Sequence, residues 1–348
     1  MERIFNHPGL FPGVAILAAF LPLSVIPAGS PDASEARTAK PVVVRLRAGL
    51  TNAEIQQALD SLPGAGGEVV LSAGDYLIRR PVVLCHNNQI LCGEGPATVL
   101  RLADNADCPV IIMGEPVNRP RRTVRHLMVS SLAIDGNRRH QQGELWVPDG
   151  DSSEIHNNGI TIQGVSDSAV YNVSCAHCRS GGMVTTLGVE RLRVLNLEAY
   201  DNQFDGLACY STENCRFENL NLHDNCSAGI SLDLAFNHNC VRNAVLTGND
   251  LGVFMRSSRN NRFESLSIRR SRHFGVFIAQ SDIETPHGWL PLAHTECTGN
   301  QFIHLVTVNC GDEAFHVNDS SCTGNVVTDA REGAANPDSP PAEVYTAF

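Results

Sequence analysis

The stretch AGISLDLAFNHNC (228–240) decides the fold. It opens on a small residue and Gly229, then alternates through Ile230, Ser231, Leu232 and Asp233, the pattern of a strand buried on one face. Its outline returns in DGLACYSTENC (205–215), LGVFMRSSRNN (251–261) and FGVFIAQ (274–280). The glycines of these runs, Gly159, Gly182, Gly206, Gly229, Gly252 and Gly275, stand 23, 24, 23, 23 and 23 residues apart. Ala314 takes the glycine's place 39 residues later, which puts an insertion of about 16 residues in that turn. A second motif keeps the same beat: CRFENLNL at 215, NRFESLSI at 261 and NQFIHLVT at 300. A fixed period of this length marks a solenoid, and short β-rich runs without helical periodicity make it a β-solenoid. The expectation is an all-β chain with one strand set per coil and about ten coils between residues 65 and 330.

Composition agrees with a folded chain. Of 348 residues, 43% are hydrophobic and 18% charged. The formal charge of −11 disfavours a nucleic-acid partner, because phosphate binding needs a basic surface. Residues 14–28, VAILAAFLPLSVIPA, form an apolar run after a polar start with Glu2 and Arg3, too short for a comfortable membrane span. Residues 1–28 read as a signal peptide, with an uncleaved anchor as the other reading, and residues 29–44 as a linker. Residues 45–330 read as the solenoid and 331–348 as a loosely held Pro/Ala-containing tail. A secreted, periplasmic or surface location without a stable membrane span after processing follows from that reading.

Export would permit disulfides among the twelve cysteines. Cys297 and Cys322 sit in matching CTGN segments on neighbouring turns and are placed to face each other; Cys85 and Cys92 are a second pair to consider. Cys209 falls at an inward strand position. CAHC (175–178) has no partner pair and reads as turn residues before a metal site.

Residues 51–60, TNAEIQQALD, predict a short helix capped by Thr51, with Ala53, Ile55, Ala58 and Leu59 on its apolar face. GAGGEVVLSAGDYLI (64–78) follows as two strands around a turn at Ala73-Gly74-Asp75. This helix, the Gly-Gly-x-Val-x-Leu-x-x-Gly-x-Tyr-x-Ile pattern, ILCGEG (90–95) and LAIDGN (132–137) together resemble the pectate-lyase-like right-handed parallel β-helix superfamily over roughly residues 45–330. The resemblance implies a short helix that closes one end, and a secreted protein that acts on polysaccharides. It implies no catalytic residue. The Asn-Thr-Asp and Gly-His-Gly motifs of polygalacturonases, the Asp-Pro-His-Asp of alginate epimerases and the Arg-x-Pro-x-x-Arg of pectate lyases are all absent from the sequence.

Candidate site residues come from strand alternation instead. Residues one and three after each glycine are apolar and point inward: Ile160/Ile162, Leu207/Cys209, Ile230/Leu232, Val253/Met255 and Val276/Ile278. The fourth residue points outward, so Tyr210, Asp233 and Arg256 form a ladder at the ~4.8 Å coil spacing. Phe254 and Phe277, with His316 on the next coil, flank it as an apolar surface for sugar rings. Asp205, Asp250 and His273 lie at the strand entrance, and Arg259 belongs to six arginines within residues 256–272 expected to give a local positive field.

A tyrosine, a carboxylate and an arginine in a row suit proton abstraction from a uronate, with arginine holding its carboxylate. The expected activity is therefore a lyase or C5-epimerase on an anionic polysaccharide, through Tyr210, Asp233 and Arg256. A glycoside hydrolase on the same fold and a non-catalytic glycan-binding surface protein are the alternatives. The insertion RRHQQGELWVPDGDSSEIH (138–156) decorates one face; its DGDSSE (149–154) reads as a solvated loop, with calcium the one cofactor left open.

Overall fold

The computed structural model describes residues 42–148, 153–284 and 291–333. The signal-peptide segment, most of the linker, the tail beyond Gly333, and Asp149 and Asp151 of the candidate calcium loop lie outside the described residues.

Every strand pairing between named strands is parallel, as a solenoid requires. One sheet runs from Val42–Leu46 through Arg193–Tyr200, Arg216–His223, Cys240–Thr247, Arg262–Arg269 and Gln301–Val308 to Val326–Thr328. The other runs from Val82–Leu84 through Ile160–Gln163, Met183–Thr186, Leu207–Glu213, Ala228–Asn237, Leu251–Arg256 and Val276–Ala279 to Phe315–Val317. The coils number about twelve, against the ten expected. The regular period covers only the later coils; the early ones lack the glycine mark. The first strand begins at Val42, inside the segment read as linker.

The capping helix is Asn52–Asp60. Thr51 accepts from the Ala53 N–H, and the Glu54 carboxylate accepts from the Thr51 N–H at 2.9 Å, a complete capping box. Ile55, Ala58 and Leu59 are buried over the first coils, whereas Ala53 is exposed, contrary to the helical wheel.

The inward assignment holds. Ile160, Ile162, Cys209, Ile230, Leu232, Val253, Met255, Val276 and Ile278 are all fully buried. The Phe217 motif supplies a second inner column in which Phe217, Val241, Phe263 and Phe302 succeed one another. The rings of Phe263 and Phe302 stack at 4.5 Å.

The glycine column is a steric requirement. A Cβ at Gly252 would lie 2.3 Å from the Gly275 carbonyl oxygen, and one at Gly275 would lie 2.4 Å from that of Ala314. Neither position leaves room for a methyl. Ala314 carries one because its strand, Phe315–Val317, is the last of that sheet among the described residues.

Beside this corner runs a buried asparagine ladder. Asn202 Nδ2 donates to Asn225 Oδ1 and Asn225 Nδ2 to Asn249 Oδ1, each at 2.9 Å. The same oxygens accept backbone N–H groups of the preceding coil, and the same amides reach its carbonyls. A second ladder at the opposite corner, Asn239, Asn261, Asn300 and Asn325, repeats the scheme. Its offsets of 22, 39 and 25 residues hid it within the sequence.

Two substitutions test the register. Leu232→Ala is expected to cost about 2–5 kcal/mol through lost burial and a cavity. Asn225→Ala, which strands buried partners on both sides, is expected to cost about 1–3 kcal/mol. Denaturant titrations read both, and parent-like stability of either variant contradicts the assigned column.

Candidate functional site

The outward ladder assembles on the second sheet. Tyr210 and Asp233 are direct strand partners. Arg256 reaches back across one coil, donating from Nε at 2.8 Å and Nη2 at 2.6 Å to Asp233 Oδ2. The Leu234 N–H donates to the other oxygen at 2.7 Å. Leu234 and Ala235 both take positive φ, so the strand bulges at this point and turns that N–H onto the carboxylate. Asp233 is thus enclosed, with its side chain 5% exposed and Arg256 at 26%. Burial pushes the Asp233 carboxyl up, and the Arg256 guanidinium opposes that shift. The outer edge of Arg256 meets Asp282 at 3.2 Å, and this carboxylate is 84% exposed. Arg256 therefore has one fixed partner and one in solvent.

The aromatic column stacks on itself. Phe254 and Phe277 lie 5.9 Å apart and nearly parallel, and His316 continues the stack 5.4 Å from Phe277. The Arg256 guanidinium stands 5.2 Å from the Phe254 centroid. The facing ring surfaces are used within the stack, so Phe277 presents edges, not the open platform read from the sequence.

At the strand entrance, Asp205 accepts from the Ala228 N–H at 2.9 Å and interacts with Ser227 and Ser231. Burial pushes its carboxyl up to about 6. Ser231 also reaches Tyr210, whose phenol burial holds in its protonated form well above the usual range. His273 lies between Asp312 at 3.0 Å and Asp250 at 3.8 Å. His316 pairs with Glu313 at 3.2 Å. Arg259 lies past the turn that ends this face and pairs with Glu296. The six arginines do not make one patch. Arg256 and Arg259 follow the second sheet, whereas Arg262 and Arg269 belong to the first, where Arg262 pairs with Glu264. Their 17-residue cluster wraps around most of one coil.

The outer face is less open than strand alternation implies. Thr161, Gln163, Ser231 and Ala279 are buried although they point outward. Gln163 donates to the Val117 carbonyl at 2.8 Å, which ties the 115–118 segment across it. Next to Tyr210 a cavity of about 410 Å³ remains. Thr161, Val184, Thr186 and Tyr210 line it from the strands, and Asn118, Leu145, Glu154 and His156 from the insertions.

The 138–156 insertion builds one wall by folding back on itself. Leu145 bridges His156 in antiparallel fashion, Trp146 N–H donates to the Ile155 carbonyl and Asn157 N–H to that of Glu144, each bond 2.8 Å. Trp146 packs against the core and anchors the fold-back. This registers Glu144 against His156, whose Nδ1 lies 2.9 Å from Glu144 Oε1. The Nε2 has no hydrogen-bond partner among the described residues. Glu144 was not singled out by sequence reasoning; the broken beat of the insertion was the only signal for it.

Cys297 and Cys322 do meet, with the Cys297 N–H donating to Cys322 Sγ at 3.3 Å. Cys85 and Cys92 do not: Cys85 lies beside Arg122, Asp60 and Glu115, and Cys92 beside Glu68 and Ser130 of the other sheet. Among the described residues no group of three or more His, Cys, Asp or Glu is arranged to hold a metal ion, and no helix is long and apolar enough to cross a membrane.

A parallel solenoid whose coils carry a groove on one face, walled by an insertion, is the architecture of the right-handed parallel β-helix. The chain belongs to the right handed beta helix region family, whose model matches residues 125–250 and 188–339. Among solved structures it is similar to the A-module of Azotobacter vinelandii mannuronan C-5 epimerase AlgE4, at 16% identity and a TM-score of 0.52, over 84% of this chain and 93% of that one. It is also similar to a Yersinia enterocolitica family 28 exopolygalacturonase, at 13% identity and 0.53, over 87% and 79%. ORF18 of Geobacillus virus E2 matches at 13% identity and 0.55, over 80% and 57%. No curated protein matches this chain in sequence.

Arg256→Ala leaves Asp233 buried without its cation and is expected to cost about 3 kcal/mol. Asp233→Asn/Arg256→Met, which keeps the acceptor for Leu234, is expected to recover most of that loss in thermal melts. The raised carboxyl of Asp205 gives a pH signature. Its stabilising contribution is complete below about pH 4, the ordinary aspartate value, and is lost as pH rises through about 6. Denaturant titrations from pH 4 to 7 should show Asp205→Asn gaining on the parent as pH rises; a pH-independent gap contradicts it.

Proposed function

We propose that the protein is a carbohydrate-active enzyme that moves a proton at a uronate residue of an anionic polysaccharide, as a lyase or C5-epimerase does. The observation that carries this reading is the cavity beside Tyr210, whose wall holds His156 with Nδ1 on Glu144. A carboxylate on one ring nitrogen orients the imidazole and leaves the other nitrogen for a substrate proton. Tyr210, kept protonated by burial, supplies a second proton-transfer group on the floor of the same cavity.

Hydrolysis is less well supported. It wants two carboxyl groups flanking the scissile bond. Asp233 is closed off by Arg256 and Leu234, and Asp205 by Ala228, so among the described residues Glu154 is the one carboxylate lining the cavity, where two are needed. Two of the similar solved structures are named as a mannuronan C-5 epimerase and an exopolygalacturonase, both names of polyuronide enzymes, which supports the substrate class.

Arg256, two coils beyond Tyr210 and outside the wall of the cavity, is assigned the carboxylate of another uronate of the same polymer. A uronate approaching its solvent edge would take the place of Asp282, while Asp233 holds the guanidinium in position. Phe254 supports that guanidinium from below.

The test is a screen of purified protein against alginate, pectin and other anionic glycans, read by unsaturated-uronate absorbance and by NMR for inverted uronate. Tyr210→Phe and His156→Ala are each expected to lower turnover about 10²–10⁴-fold while melting like the parent. Parent-like turnover by both variants overturns the assignment of the cavity. Retention on a glycan without product from the parent makes the protein a binder.

A further inference from the structure

The C-terminal coil carries a feature that the proposed site does not use. Val326–Thr328 rests on Gln301–Val308 through three residue pairs, Gln301 with Val326, Phe302 with Val327 and Ile303 with Thr328. Val326 is 51% exposed at this edge. The same 25-residue offset continues into the preceding turn, where Asn300 Nδ2 donates to Asn325 Oδ1 at 2.8 Å. Gly299 and Gly324 share a φ of +68°, so the two CTGN turns have matching backbones. Cys297 therefore lies over Cys322, and its N–H donates to Cys322 Sγ at 3.3 Å. Both thiols are buried. Adjacent coils stand ~4.8 Å apart, within the ~4.4–6.8 Å Cα separation that a disulfide spans.

We propose that Cys297 and Cys322 are a reversible redox pair whose disulfide staples the terminal coil to the coil beneath it. The proposal is independent of the reaction assigned to the Tyr210 cavity. A small-molecule disulfide such as oxidised glutathione is the oxidant. The Cys322 thiolate attacks one of its sulfurs, forming a mixed disulfide and releasing the first thiol. Cys297 then loses its proton and attacks Cys322 Sγ, forming the protein disulfide and releasing the second thiol. Two protein thiols are oxidised as one small disulfide is reduced to two thiols.

Cys322 is the better first nucleophile. Hydrogen bonding from Cys297, whose N–H donates to Cys322 Sγ at 3.3 Å, brings the Cys322 thiol down to about 6, whereas burial pushes Cys297 up. Cys322 also lies between exposed Ser321 and Thr323, whereas Cys297 is fully enclosed. The staple would fix residues 294–297 as well, where Glu296 pairs with Arg259 and the His294 carbonyl accepts from Ser257.

The chain is convenient to map. Cleavage after glutamate places Cys297 in a peptide of residues 297–313 and Cys322 in one of residues 314–332. The folded protein is equilibrated with oxidised glutathione or with dithiothreitol, unfolded in N-ethylmaleimide, digested and examined by mass spectrometry, with melting curves run in parallel. The expected result is a cross-linked 297–313/314–332 pair in the oxidised sample alone, and a melting temperature several degrees higher. Cys310→Ser should keep the link, because Cys310 shares the first peptide; Cys297→Ser and Cys322→Ser should each abolish the link and the redox-dependent shift. Full alkylation of Cys297 and Cys322 after oxidation overturns the proposal, as does a link through Cys310. An unchanged melting temperature despite the link overturns the staple. The parent digest decides the pairing even if a serine variant fails to fold.

Discussion

The contact that everything else depends on is the approach of one coil's corner to the carbonyl of the next. With a carbonyl oxygen 2.3 Å from the position of a Cβ on Gly252, the corner admits hydrogen and nothing larger. The asparagine amides beside it each serve two coils at once. Close packing forbids larger residues at the corner, while the ladder rewards one residue type at one position. Together they fix which residue stands over which, and so fix every column on the outer face. A buried amide with both ends engaged is also an effective guard on register, since a slip of one residue would bury several unpaired polar groups.

Such repetition explains why the fold is legible. The glycine intervals, the apolar pairs after each glycine, the Phe217 motif and the Thr51 cap are all local or periodic signals. The outer face is governed differently. Gln163 is buried because residues 115–118 cross it, and Asp233 because a bulge at Leu234 and Ala235 turns a backbone N–H onto it. Neither cause repeats with the period. The same limit applies to the arginines, whose proximity in sequence becomes separation around the coil, and to His156, whose partner Glu144 is set by a fold-back within an insertion. Columns could be read in advance; what covers them could not, because the covering segments are those that depart from the repeat.

The outer face therefore combines two kinds of chemistry. Along the later coils, charges and rings satisfy one another: Asp233 with Arg256, and Phe254 with Phe277 and His316. A partly enclosed ion pair of this kind stabilises little by itself, since desolvation offsets much of the attraction, but it holds a guanidinium in one orientation. Along the earlier coils, neutral side chains and the insertion leave a cavity instead. Under the proposed function the charged shelf holds the polymer and the sheltered hollow works on one of its units.

The methyl group of Ala314 has a consequence for assembly. A coil is shaped to receive another coil, and Phe315–Val317 is the last strand of its sheet among the described residues. The Cβ position at Gly275 already lies 2.4 Å from the carbonyl above it. A second molecule added in the same register would bring its own carbonyl against a real methyl at Ala314. Among the described residues Ala314 is thus the one corner of the Gly159–Ala314 column that carries a methyl, and a carbonyl brought up in the same register would meet that carbon where Gly252 and Gly275 offer only hydrogen.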